Sequence, residues 1–203
     1  MANQKRNTIL FFLLTLGLVL LFFVNISFGS ITIPFKDIYT SLTGGQASKS
    51  TWEYIIINYR LPKAITAILV GMGLSISGLL MQTLFRNPLA GPYVLGLSSG
   101  ASLGVAFVLL GASLLPPFLS TLLLSSYGVV LASTIGSSVV LLAVLMVSQK
   151  LRDTMAILIV GLMFGSFTSA IVGVLTYFSS AEQLQKFTFW SMGNLGNLSW
   201  SSI

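Results

Sequence analysis

Five apolar runs govern what this chain can fold into: residues 8–24, 64–84, 94–110, 118–147 and 155–178, none containing an Asp, Glu, Lys, Arg or His. At 1.5 Å per residue, a helix of about 20 residues crosses the roughly 30 Å hydrocarbon core of a bilayer. In lipid every backbone N–H and C=O has to be satisfied inside the protein, so such runs become helices. The expectation is an all-α integral membrane protein: a polytopic helical bundle of about five transmembrane helices, one transmembrane domain over residues 1–203. Composition agrees, since 55% of the 203 residues are hydrophobic and 7% charged, where a soluble domain carries about 25% charged residues.

The same composition narrows the chemistry. The chain has no His and no Cys, which excludes disulfides, thiol nucleophiles and the usual zinc ligands. The four acids, Asp37, Glu53, Asp153 and Glu182, all lie outside the apolar runs. No catalytic residue, metal site or cofactor is expected, and an enzyme is not indicated. A net charge of +6 is scattered through the loops, so no nucleic acid partner is expected either. The sequence lacks a G-x-x-x-x-G-K-[ST] phosphate loop. Ion-coupled carriers commonly use ionisable groups inside their spans. Active transport, if the chain performs it, would therefore draw its energy from another subunit.

Lys5 and Arg6 precede the first run. A secretory signal begins in the same way, but no A-x-A-like site follows, so an uncleaved first helix is the better reading. Residues 29–59 form the longest polar connection, broken by Pro34 and Gly44-Gly45. The alternation of Ser30-Ile31-Thr32-Ile33-Pro34 predicts a brief extended piece, and a short interfacial helix is expected near Trp52 to Ile57. Residues 118–147 exceed one perpendicular span, so they either tilt or begin with an interfacial segment before Tyr127. Between the second and third runs, Pro88 and Pro92 lack donors and Gly91 tolerates any backbone angle, which predicts a turn.

Small residues recur along the runs, at Gly71 and Gly73, at Gly96, Gly100 and Gly104, and at Gly161 and Gly165. In lipid they let backbones approach closely, and helix packing is the expected role of all seven. Basic residues do not settle the orientation. Lys5, Arg6, Arg86, Lys150 and Arg152 would lie on one side, and Lys36, Lys49, Arg60, Lys63 and Lys186 on the other. A cytoplasmic N-terminus is preferred because the first helix usually dominates. This leaves Arg60 and Lys63 as a basic pair at the outer end of the second span, either snorkelling to headgroups or meeting an acidic partner from outside.

The segments Arg60-Leu61-Pro62-Lys63, Leu84-Phe85-Arg86-Asn87-Pro88-Leu89-Ala90, Leu95-Gly96-Leu97-Ser98-Ser99-Gly100-Ala101 and Phe189-Trp190-Ser191-Met192-Gly193-Asn194-Leu195, with Trp200, carry a resemblance. The chain resembles the FecCD-type permeases of binding-protein-dependent ABC importers, which take up iron–siderophore complexes, haem or cobalamin. The resemblance implies a bacterial plasma (inner) membrane location and three kinds of partner: a second permease copy, two ATP-binding subunits and an extracytoplasmic solute-binding protein. It implies docking of that binding protein at Arg60 and Lys63, where Lys63 replaces the more usual Arg. It also implies a cytoplasmic gate at Asn87, Pro88, Leu89, Asp153 and Thr154. Family permeases have about ten spans, so the chain resembles the N-terminal half of one. A secondary carrier or channel that does not use ATP, or a non-transporting truncated membrane scaffold, are the alternative expectations.

Overall fold

The structure, a computed structural model, describes residues 2–111, 116–151, 153–193, 195, 198 and 200. Among these no strand occurs. The helices are α1 (Ala2–Ser27), α2 (Phe35–Leu42), α3 (Ser50–Ile55), α4 (Leu61–Phe85), α5 (Leu97–Leu109), α6 (Pro117–Leu123), α7 (Ser126–Ser148), α8 (Thr154–Tyr177) and α9 (Ala181–Ser191). Four helical stretches among the described residues are long and apolar enough to cross a membrane: Gln4–Ser27, Ser50–Phe85, Ser126–Ser148 and Met155–Tyr177. The fifth expected span is different. Its helix, α5, has 13 residues, about 20 Å at 1.5 Å per residue, and much of it is buried against other helices rather than laid bare.

Residues 30–33 lie outside any helix, with Ile33 buried and Ile31 exposed, and pair with no neighbouring strand among the described residues. The polar connection departs from expectation in one place. Pro34, expected to break helices, instead precedes α2 as its N-cap residue, a position where a missing N–H does no harm. The expected short helix near Trp52 is present as α3, and it runs without a break through a π-turn, Ile56–Arg60, into α4. Pro62 accounts for that turn. In regular α-helix its ring would press on the carbonyl of Asn58. The wider turn pairs Leu61 N–H with Ile56 O, and the next carbonyl, Ile57 O, would face the N–H that Pro62 lacks. Trp200 Nε1 donates to it instead, at 2.9 Å.

Residues 118–147 take the second of the two forms expected of them. Ser125 separates the interfacial helix from the span by donating to Leu122 O at 2.6 Å while accepting from Gly128 N at 3.1 Å, which caps α7. The segment after α8 contains α9, begun by a capping box between Ser180 and Gln183.

The chain divides into two compact units, Met1–Gly71 with Leu195–Ile203, and Met72–Asn194. In the first unit, Ile26, Ile33, Ile38, Ile56 and Ala64 form the core. Asp37 is buried there, and its Oδ1 accepts from Ser48 N at 2.7 Å and Ser48 Oγ at 2.6 Å, closing the loop before α3. These two bonds, the hydroxyl's first, hold the Asp37 carboxyl below the usual carboxylate range. Because the folded value lies below the unfolded one, the stabilisation is complete above the ordinary carboxylate pKa and disappears as pH falls through the folded value. Asp37→Asn is expected to be less stable than the parent at neutral pH, with the gap closing in strong acid. Thermal unfolding followed from pH 7 downward checks this.

In the second unit α5 is central, packing against α7, α8 and α9. One core at its start joins Phe85, Ala90 and Leu95 to Val140 and Val144 of α7 and to Ile157 and Leu158 of α8. Another at its far end joins Val105, Ala106 and Leu109 to Val129, Val172, Phe187 and Trp190. The three helices therefore alternate in direction. The turn before α5, the end of α7 and the start of α8 share one end of the unit, and α9 lies at the other.

The expected packing glycines divide into two groups. A Cβ on Gly96 would sit 2.9 Å from Gly161 O, and one on Gly100 would sit 2.7 Å from Gly136 O. One on Gly104 would run into Ala132 O, and one on Gly161 would sit 2.7 Å from Val94 O; Gly165 lies in ordinary contact with Ser99 and Gly96. These five are contact positions. A Cβ on Gly71 or Gly73 would meet nothing within 4 Å among the described residues.

Candidate functional site

The turn at residues 86–91 is built by local chemistry. Asn87 N donates to Gln82 O at 3.2 Å, ending α4 with a Schellman-type bond. Arg86 takes the left-handed position there, φ 47°, which a residue with a Cβ occupies at a cost of about 1 kcal/mol or more. Asn87 Oδ1 then accepts from Leu89 N at 2.9 Å and Asn87 O accepts from Ala90 N at 3.1 Å, so Pro88 and Leu89 form the tip of an Asx turn. Leu89 is 81% exposed. At the same end of the unit, Asp153 caps α8 by accepting from Met155 N at 3.0 Å. Thr154 opens that helix, its side chain lying outside the described set. The five expected gate residues therefore gather at one end of the unit.

From this end a groove follows the contact between α5 and α8. Its first part, about 660 Å³, is lined by Tyr93, Gly96, Ser99, Gly161, Leu162, Gly165, Ser166, Ser169 and Ala170. Its second part, about 280 Å³, is lined by Ser98, Ser99, Ser102, Ser169, Val172, Phe187 and Ser191. Ser99 and Ser169 belong to both, so the groove is continuous from the Tyr93 end to α9. The glycines that bring α5 and α8 together also form its floor.

The lining is uncharged and rich in hydroxyls. Ser166 and Ser191 return their hydroxyls to the carbonyls of Leu162 and Thr188 on their own helices. The hydroxyls of Ser98, Ser99, Ser102 and Ser169 make no hydrogen bond among the described residues. Hydroxyls at membrane depth that are not folded back onto the helix need water or a polar solute, since leaving them bare in hydrocarbon is expensive. The groove therefore offers hydroxyls to water, to a polar solute or to another helix. Sequence reasoning quoted Ser98 and Ser99 within a motif and did not recognise the groove. The signal was available: serines at 98, 99 and 102 and at 166 and 169 recur at helical spacing on two otherwise apolar helices.

In the first unit, the expected docking pair is split. Arg60 is turned inward, 9% exposed, and its Nη1 donates to Ile26 O at 2.6 Å and Ser27 O at 2.8 Å while its Nη2 donates to Ile31 O. Lys63, one turn further on, is exposed.

Residues 17–203 match the family model of the FecCD transport family. The chain belongs to this family. A hemin transport system permease protein from Yersinia pestis is 37% identical over 193 residues, which cover 95% of this chain and 54% of that protein. A vitamin B12 import system permease protein from Klebsiella pneumoniae subsp. pneumoniae is 30% identical over 202 residues, covering 99% of this chain and 56% of that protein. An inward-facing structure of a metal-chelate type ABC transporter superposes with a TM-score of 0.75 at 27% identity, covering 94% of this chain and 55% of that one. The chain spans about half the length of the relatives it matches. Membership agrees with the resemblance carried by the Asn-Pro-Leu-Ala and Leu-Gly-Leu-Ser segments, and with an all-α, multi-pass membrane fold. These relatives are transport permeases, not enzymes.

Proposed function

We propose that the chain is the membrane-spanning permease part of a binding-protein-dependent ABC importer for iron–siderophore complexes, haem or cobalamin. The observation that carries this is the uncharged, hydroxyl-lined groove in a chain of the FecCD transport family. Unpaired serines offer hydrogen bonds to a bulky polar solute without holding it by charge, which suits passage better than tight retention. Two ATP-binding subunits drive alternating access in a pore formed with a second permease copy. An extracytoplasmic solute-binding protein delivers the substrate at the end of α4 that carries Arg60 and Lys63.

The Asn87-Pro88-Leu89 turn with Asp153 and Thr154 forms the cytoplasmic gate, with the exposed Leu89 side chain as its apolar plug. Exposed Arg86 and Lys150 at that end of the second unit favour the cytoplasmic side, and the N-terminus then lies in the cytoplasm of a bacterium whose plasma membrane holds the protein. The test is uptake by proteoliposomes carrying the complete permease, its ATPase and its binding protein, offered ferric siderophore, hemin and cyanocobalamin in turn. One of the three is expected to accumulate only when ATP and binding protein are both present. Accumulation driven by an ion gradient without ATP would overturn the proposal.

A further inference from the structure

α2 has three faces. Asp37, Ile38 and Ser41 share one side and are buried, Ile38 in the core with Ile26, Ile33 and Ile56 and Asp37 bonded to Ser48. Lys36 and the C-cap residue Thr43 are exposed on a second side. Phe35, Tyr39 and Leu42 stand at i, i+4 and i+7 on the third, and they are 57%, 62% and 37% exposed. A helix lying on a domain in water needs one apolar face and one polar face. This helix has a second apolar face, turned outward.

The level of that face is set by α1, which contains one of the stretches long and apolar enough to cross a membrane. α2 packs against α1, and the Phe35 ring stands 5.3 Å from the ring of Phe23. Phe23 lies one turn before the last residue of α1, Ser27, about 6 Å along the axis, and Asn25 ends the apolar run just beyond it. Phe35 is therefore held where hydrocarbon gives way to headgroups. Interfacial amphipathic helices bury their apolar face about 5–10 Å into that boundary, so depth and exposed chemistry agree.

We propose that α2 is an interfacial anchor whose Phe35, Tyr39 and Leu42 side chains enter the phospholipid leaflet that α1 reaches at Ser27. Lipid is the occupant because the face joins, at the Phe23–Phe35 contact, the exposed apolar surface of a span: Leu20, one turn back from Phe23 on the same side of α1, is 58% exposed. The residue types suit that level. Tyrosine places its ring among acyl chains and its hydroxyl among headgroups, and Lys36, one residue from Phe35, can carry its ammonium up to the phosphates on an apolar stem. The buried side of α2 is fixed to the core by Ile38 and to the following loop by the Asp37–Ser48 bonds. Lipid contact on the outer side therefore holds the whole connection between α1 and α3 at one height.

The chain has no cysteine, so single spin labels at Phe35→Cys, Tyr39→Cys and Leu42→Cys, and for comparison at Lys36→Cys and Thr43→Cys, report on α2 in an otherwise cysteine-free complete transporter. The transporter is held in nanodiscs of phosphatidylethanolamine and phosphatidylglycerol. Collisions with oxygen, which concentrates in hydrocarbon, and with a nickel chelate, which stays in water, read the depth of each label. Labels at 35, 39 and 42 are expected to favour oxygen and those at 36 and 43 the nickel chelate, so that the preference reverses within one turn of helix. All five positions are exposed, and three sites on one face keep the reading if one label is not tolerated. Nickel preference at 35, 39 and 42 places the face in water and overturns the proposal. Shielding of these labels from both reagents overturns it as well: protein then covers the face, the remainder of the permease or a second copy if the shielding is constant, and the solute-binding protein if it appears only when that protein is added.

Discussion

Gly136→Ala is expected to destabilise the protein by about 3 kcal/mol, while Gly73→Ala leaves stability within about 0.5 kcal/mol of the parent. The added methyl at position 136 would run into Gly100 O and stand 2.9 Å from Gly104 N and 3.0 Å from Gly104 Cα. All three are backbone atoms of α5, so no side-chain rotation relieves the clash and the two helices have to part. In lipid the loss is felt directly, because helix association there depends on close packing rather than on expulsion of water. Parting α5 from α7 also loosens the seat of Val140, which packs with Leu95 at the start of α5. At position 73 a methyl meets nothing within 4 Å, and alanine is the better helix former. Unfolding of this chain in mixed micelles measures both. Equal losses at the two positions would mean that the effect belongs to glycine itself and not to the α5–α7 contact.

That contrast marks what could be read from the sequence. Gly73 and Gly104 each lie in a run of small residues at four-residue spacing, and among the described residues only Gly104 sits where a Cβ would meet another helix. A small residue permits close approach but does not say where the partner is. The turn at residues 86–91 was legible because Asn87, Pro88 and Gly91 act through local turn chemistry, and the spans were legible because lipid leaves an apolar run no choice but helix. Arg60 was not, since its acceptors lie at the far end of another helix and a cationic residue near an interface is by default expected to point outward. α2 was hidden by treating Pro34 only as a breaker. The π-turn was hidden although its cause, Pro62, stood in the quoted Arg-Leu-Pro-Lys segment, because the donor that rescues Ile57 O comes from Trp200. The groove needed two helices to be brought together before its serines could share a surface.

Ser99→Leu and Ser169→Leu are each expected to lower ATP-driven uptake by the complete transporter about tenfold, the equivalent of ~1.4 kcal/mol of barrier, without loss of folded protein. Both residues line both parts of the groove, so each substitution narrows the passage where the two parts meet and removes a hydroxyl available to a passing solute. Neither hydroxyl is engaged within the described structure; Ser169 is exposed and accommodates leucine, whereas Ser99 touches Gly165 across the α5–α8 contact, so its variant reports on the groove only where its folded yield matches the parent. Thr15→Leu on α1 is the control: an exposed hydroxyl that already bonds back to Phe11 O, outside the groove, where the same chemical change is expected to leave uptake at the parental rate. Stability and uptake should therefore separate, with the groove variants folded and slow. Parental uptake in both serine variants would place the solute's path elsewhere, and the unpaired hydroxyls would then be hydration sites with no part in transport.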